Sequence, residues 1–92
     1  MSSDNMIAII ETKEGFRINN VFMPQLEDGK RIYNAFKKSE ITNNKNEAYL
    51  IADKIASSVG WETIEYGIQY FDFSKYEFNE LKFKSEYDLN IF

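Results

Sequence analysis

Met6-Ile7-Ala8-Ile9-Ile10-Glu11-Thr12, then Lys13-Glu14-Gly15, then Phe16-Arg17-Ile18-Asn19-Asn20-Val21-Phe22 is the stretch that decides the fold. The first segment is rich in β-branched residues and reads as a strand. Lys13-Glu14-Gly15 reads as a turn, with glycine where a positive φ is wanted. The chain then returns as a second strand. Period-two alternation puts Phe16, Ile18, Asn20 and Phe22 on one face, with Arg17 and Asn19 on the other. A hairpin is the expected nucleus.

Working outward, Pro24 ends the second strand, and Glu27-Asp28-Gly29 is a turn signal. Residues 30–38 fit two readings. Ile32, Ala35 and Phe36 make a helical stripe, and Ile32, Asn34 and Phe36 make a strand face. The Asp-Gly turn tips the expectation toward a third meander strand. Asn44 then caps a helix over about 45–59, with Glu47 three residues on. Ala48, Ile51, Ala52, Ile55 and Val59 form its apolar stripe. Gly60 stands where a C-terminal glycine belongs. Residues 62–71 alternate again, with Ile64, Tyr66, Ile68 and Tyr70 on one face. Phe73 to Phe78 reads as a capping box with a Phe73–Phe78 staple, giving a short helical turn near residue 77. Residues 81–91 alternate as a last strand, with Leu81, Phe83, Ser85, Tyr87, Leu89 and Ile91 on one face.

The expectation is an α+β fold. An antiparallel sheet of about four to five strands carries one main helix on one face. The 92 residues form a single domain, with residues 1–5 expected to fray.

Composition narrows the chemistry. There is no cysteine and no histidine. That excludes disulfide staples, thiolate metal sites and the usual activated serine or cysteine nucleophiles. The four glycines are isolated, so no phosphate-cradling loop is present. The expectation is a non-enzyme with no cofactor and no metal. A small secreted domain would want disulfides, which favours the cytoplasm. The apolar run Met6–Ile10 is too short for a signal peptide or a membrane span.

Charge is segregated. Residues 1–60 hold eight acids and eight bases. Residues 61–92 hold seven acids (Glu62, Glu65, Asp72, Glu77, Glu80, Glu86 and Asp88) against Lys75, Lys82 and Lys84, which is the whole net charge of −4. They also carry ten of the fifteen aromatics. Carboxylates at alternate strand positions, as Glu86 and Asp88 would be, repeat at roughly 6.6 Å, comparable to phosphates along a backbone. These seven carboxylates therefore make a candidate DNA-mimicking surface for a cationic DNA-binding groove. Ten aromatics exceed what one thin core hides. Phe71, Tyr76 and Phe92 are candidate contacts of a homodimer.

Two other readings compete. Lys30, Arg31, Lys37 and Lys38 flank Tyr33 and Phe36, as a small nucleic-acid-associated regulatory module would have them. A pI near 4.8 opposes this. Asp72, Glu80 and Lys82 have the residue types of a metal-dependent nuclease.

The usage of Asn, Lys, Ile, Phe, Tyr and Glu suggests an AT-rich genome, such as that of a bacteriophage. In length, acidity, the stretch Met-Ile-Ala-Ile-Ile-Glu-Thr-Lys-Glu-Gly-Phe at 6–16 and the tail Lys-Tyr-Glu-Phe-Asn-Glu-Leu-Lys-Phe at 75–83, the chain resembles the Arn anti-restriction proteins of T-even bacteriophages. The resemblance implies a dimeric DNA mimic. It would bind a host restriction endonuclease, McrBC, which attacks DNA with modified cytosines. It implies no direct nucleic-acid or membrane partner.

Overall fold

The hairpin forms as its alternation requires. In the computed structural model, which describes residues 4–91, β1 (Asn5–Thr12) pairs antiparallel with β2 (Gly15–Phe22), from Asn5 opposite Phe22 to Thr12 opposite Gly15. Gly15 has φ 126°, and a side chain there would press on the Thr42 carbonyl oxygen. Asn5, expected to fray, is instead buried at the start of β1. It donates to the Thr63 carbonyl at 3.0 Å and accepts from Asn20. Residues 1–3 lie outside the described residues.

From Met6 to Ile10 every residue of β1 is buried, whichever way it points. A strand apolar on both sides needs cover on both sides. The even residues Met6, Ala8 and Ile10 join one apolar cluster, and the odd residues Ile7 and Ile9 join another. The sheet is therefore sandwiched, where one covered face was expected.

The first face is closed by one helix. Asn44 caps α2 (Lys45–Val59) by accepting from Glu47 N–H at 2.9 Å, as the sequence indicates. Its buried line is Ala48, Ala52 and Ala56, at i, i+4 and i+8. Small side chains there let the helix sit close to Ile7, Ile9, Phe16 and Ile18. The larger Ile51 and Ile55 pack from its flanks, half-buried. Val59, expected in the stripe, is exposed.

The second face is a patchwork, and here three expectations are corrected. Residues 30–38 are not a third strand: α1 (Gly29–Phe36) is a helix. Asp28 accepts from Arg31 N–H at 2.9 Å, so Asp-Gly starts a helix where a hairpin turn was read. Ile32 and Phe36, four apart, then face the sheet together and are fully buried. Arg17 and Asn19 of β2 hold the end of α1 through the Phe36 and Ala35 carbonyls at 3.3 and 2.8 Å.

The sheet is also mixed, not antiparallel. Its order is β3-β2-β1-β4, where β3 is Glu40–Thr42 and β4 is Ile68–Asp72. β4 runs parallel to β1, with Ile7 opposite Ile68 and Glu11 opposite Asp72. A parallel pair needs a long crossover, and α2 supplies it by carrying the chain from one sheet edge to the other. Only the end of the alternating stretch 62–71 is strand. Trp61–Thr63 is a 3-10 turn.

Residues 81–91 are not a strand. A 3-10 segment, Phe78–Phe83, and a short helix α3 (Glu86–Leu89) replace it. Together with α1 and the 3-10 turn Met23–Leu26 they cover the second face through Leu26, Phe78, Leu81 and Leu89, with Phe73 added from the turn after β4.

Candidate protein-binding surface

Local hydrogen bonds set the path of the C-terminal segment. Asp72 Oδ1 accepts from Ser74 N–H at 2.9 Å, turning the chain out of β4. Glu80 accepts from Glu77 N–H at 2.9 Å, so the 3-10 segment starts at Phe78, one turn later than Ser74 would have started it. Ser85 and Asp88 cap each other's backbone: Asp88 N–H donates to Ser85 Oγ at 3.2 Å and Ser85 N–H to Asp88 Oδ2 at 3.0 Å. Asn90 closes α3 in the left-handed region, φ 53°. This short-range capping overrides the period-two alternation of 81–91.

Three long-range bonds then pin the segment. Lys13 N–H donates to the Tyr76 carbonyl at 2.9 Å, and Phe78 N–H to Glu14 Oε1 at 2.9 Å. Gly29 N–H donates to the Lys84 carbonyl at 2.9 Å. The Arg17 guanidinium lies 3.8 Å from the Phe78 ring centroid, where burial lowers its pKa. Phe78 also stacks on Tyr33 at 4.8 Å.

Helical geometry changes which aromatics face water. A strand would have put Phe83 and Tyr87 on the same face as Leu81 and Leu89. Instead Leu81 and Leu89 are buried, and Phe83 and Tyr87 are 78% and 87% exposed. Both line one concavity of about 370 Å³, with Glu27, Asp28, Lys30, Lys82, Lys84, Ser85 and Glu86. Sequence reading missed Phe83 and Tyr87 as surface anchors. The signal was present: Ser85 followed by Asp88 three on is a capping pattern, with Asn90 as a helix stop.

The seven carboxylates are distributed over several elements. Glu86 lines the Phe83–Tyr87 concavity. Asp72 and Asp88 line a second of about 350 Å³, with Lys75, Tyr76 and Asn90. Glu62 is exposed on the turn after α2, Glu65 is exposed before β4, Glu77 is exposed and Glu80 is half-buried. The strand spacing expected between Glu86 and Asp88 is absent, because both lie in α3. Hydrogen bonds hold Asp72 and Asp88 below the usual carboxylate range, from Ser74 to Asp72 and chiefly from Ser85 N–H to Asp88.

Lysines interleave with the acids. Lys75 and Lys84 sit 5.3 and 5.0 Å from the Tyr76 ring centroid. Tyr76 is half-buried beneath them, with its hydroxyl donating to the Asp88 carbonyl at 3.3 Å. Phe71, also half-buried, stacks on Phe73 and lines a groove beside β4. Phe92 lies outside the described residues.

The competing constellations come apart. Lys30, Arg31, Lys37 and Lys38 are exposed on and just after α1, but Phe36 is fully buried, and the half-buried Tyr33 is stacked on Phe78 with Lys82 over its ring. Arg31 is paired with Glu27 at 2.5 Å. Asp72 and Lys82 line different concavities, and Glu80 lines neither. Lys82 lies over the rings of Tyr33 and Phe83. Among the described residues no group of three or more acidic side chains is placed to hold a metal ion, and no helix is long and apolar enough to cross a membrane.

No protein-family model, curated protein sequence or solved structure matches this chain.

Proposed function

We propose that this protein acts by binding another protein, with no chemistry of its own. In this reading it inhibits a host DNA-handling enzyme in the host cytoplasm. The C-terminal third presents the docking surface. One observation carries the reading: Phe83 and Tyr87, the two most exposed large hydrophobics among the described residues, share one concavity whose rim alternates acids (Glu27, Asp28, Glu86) with lysines (Lys30, Lys82, Lys84). Aromatics held in water cost solvation, and exposed rings rimmed by charge are characteristic anchors of protein interfaces. The preference for a cationic partner, the class to which DNA-binding grooves belong, comes from the excess of seven acids over three lysines across the whole last third and not from the concavity itself. Mimicry here needs no regular phosphate-like row. It needs exposed carboxylates around an aromatic anchor, and the exposed Glu86 carboxylate takes part in no cap.

The resemblance to Arn proteins nominates the modified-cytosine endonuclease McrBC. The test is cleavage of modified DNA by that enzyme with this protein added. Inhibition is expected to weaken with added salt and to be lost in the Phe83→Ala/Tyr87→Ala pair. Glu86→Lys replaces a carboxylate at the rim without touching a cap, so it should weaken inhibition with the fold intact. Tight binding of this protein to DNA itself at moderate salt would sink the proposal.

A further inference from the structure

The two edges of the sheet are protected differently. β3 is three residues long, begins at Glu40 and follows Lys37-Lys38. Shortness and charge are how sheet edges avoid unwanted pairing. β4 is longer, and its single charge is the terminal Asp72. It runs five residues, Ile-Gln-Tyr-Phe-Asp, without lysine, proline or bulge.

Its free backbone groups can be assigned. The Gly67 carbonyl accepts from Ile7 N–H, and Phe73 N–H donates to the Glu11 carbonyl, so Gln69 and Phe71 between them also turn toward β1. The N–H and C=O groups of Ile68, Tyr70 and Asp72 therefore point away from the sheet. Among the described residues no hydrogen bond reaches these six groups.

A groove of about 300 Å³ runs beside this edge on the α1 side, lined by Met6, Met23, Tyr66, Gln69, Phe71 and Ile91. The stretch from Trp61 to Asp72 carries Glu62, Glu65 and Asp72 and no base, and all three acids are exposed. Lys45 sits over the Tyr70 ring on the α2 side of the sheet, where its charge also acts on Asp72, and leaves Glu62 unopposed. A second copy of this strand would bring three more acids to the same place. A cationic strand complements it.

We infer that the β4 edge accepts an extended segment of the partner protein as a fifth strand. Its backbone bonds to Ile68, Tyr70 and Asp72, alternate apolar side chains enter the Met6–Phe71 groove, and basic residues at its ends meet Glu62 and Asp72. In such strand addition the main chain gives affinity and the alternate side chains give specificity. The inference deepens the proposed function, from which it takes the partner's positive charge.

The test titrates the full chain into a fluorescein-labelled peptide, Lys-Arg-Val-Thr-Val-Thr-Val-Arg-Lys, with amide spectra recorded in parallel. Saturable binding is expected, with shifts concentrated at Ile68, Tyr70 and Asp72. N-methylation of alternate peptide amides, and replacement of the basic ends by glutamate, should each weaken binding at least roughly tenfold. The exposed change Glu62→Lys should weaken it while leaving the fold intact. The inference is overturned if neither peptide binds, if the N-methylated peptide binds equally, or if the shifts fall at Phe83 and Tyr87. It is also overturned if the free chain is a dimer with its β4 amides protected, since a second copy then holds the edge. If the peptide fails while Phe83→Ala/Tyr87→Ala still abolishes inhibition, the edge falls alone. If the peptide binds and the enzyme is not inhibited, the proposed partner falls alone.

Discussion

The two faces of the sheet are covered by opposite means. On one, a single fifteen-residue helix lays Ala48, Ala52 and Ala56 against β1 and β2. Its hydrogen bonds are internal, and its position depends on close packing of small side chains. On the other, α1, α3 and two 3-10 segments make a patchwork of short pieces. None is long enough to be stable alone, because nucleating a helix costs more than a few turns return. These pieces hold by buried side chains and by bonds between distant residues, such as Phe78 N–H to Glu14. The difference teaches where function can sit. The patchwork leaves Phe83 and Tyr87 outside, more exposed than any large hydrophobic of α2, of which Leu50 is the most open.

The comparison breaks most visibly at Gly29. A Cβ there would lie 1.7 Å from the Leu81 carbonyl oxygen and 2.7 Å from that of Lys84. Backbone cannot yield as a side chain tip does, so Gly29→Ala should destabilise the protein by about 3 kcal/mol. Urea denaturation gives the total. Hydrogen exchange should show the extra opening in α1 and residues 73–91, with α2 protected; uniform loss would contradict the patchwork description.

On the opposite face, Ala52→Leu forces a large side chain beneath a close helix. A loss of about 2 kcal/mol is expected, with exchange now raised in α2. A neutral result would mean that the helix can lift off and its alanines are not setting the distance.

Asn44→Ala removes the cap bond to Glu47 N–H and should cost about 1 kcal/mol by thermal unfolding, with Asn44→Asp restoring it.

The smallest effect is in acid. Hydrogen bonding from Phe78 N–H, opposed by burial, lowers the pKa of Glu14, with Thr12 and Arg17 adding to the lowering. A depressed carboxylate contributes stability that is full above its unfolded value, near 4.5, and is lost as pH falls through the folded value. Residues 73–91 should therefore loosen below that pH before α2 does. Followed by amide spectra, Glu14→Gln should flatten part of this response, leaving the share of Asp72 and Asp88.

Much of the first face is legible in the sequence. The hairpin follows from alternation around Lys13-Glu14-Gly15, and α2 from Asn44, Glu47 and its apolar spacing. The second face is not, because its segments fit two periods. Ile32 and Phe36 satisfy a strand and a helix alike, and Leu81 to Ile91 alternates although Ser85 and Asp88 cap a helical turn. The carboxylates were legible as a group, but not their separation among concavities.

What the sequence determined by itself is whatever neighbours within a few residues can decide: the hairpin, the capped helix, the absence of histidine and cysteine, and the acidic, aromatic last third. Tertiary structure decided the rest. β4 runs parallel to β1 because α2 returns the chain to the far edge, and residues 29–36 are helical because β1 is apolar on both sides and needs a second cover. Phe83 and Tyr87 face water because Leu81 and Leu89 take the buried positions in the cluster with Ile32 and Phe36. Each of these depends on a partner distant along the chain, and local periodicity carries no information about that partner.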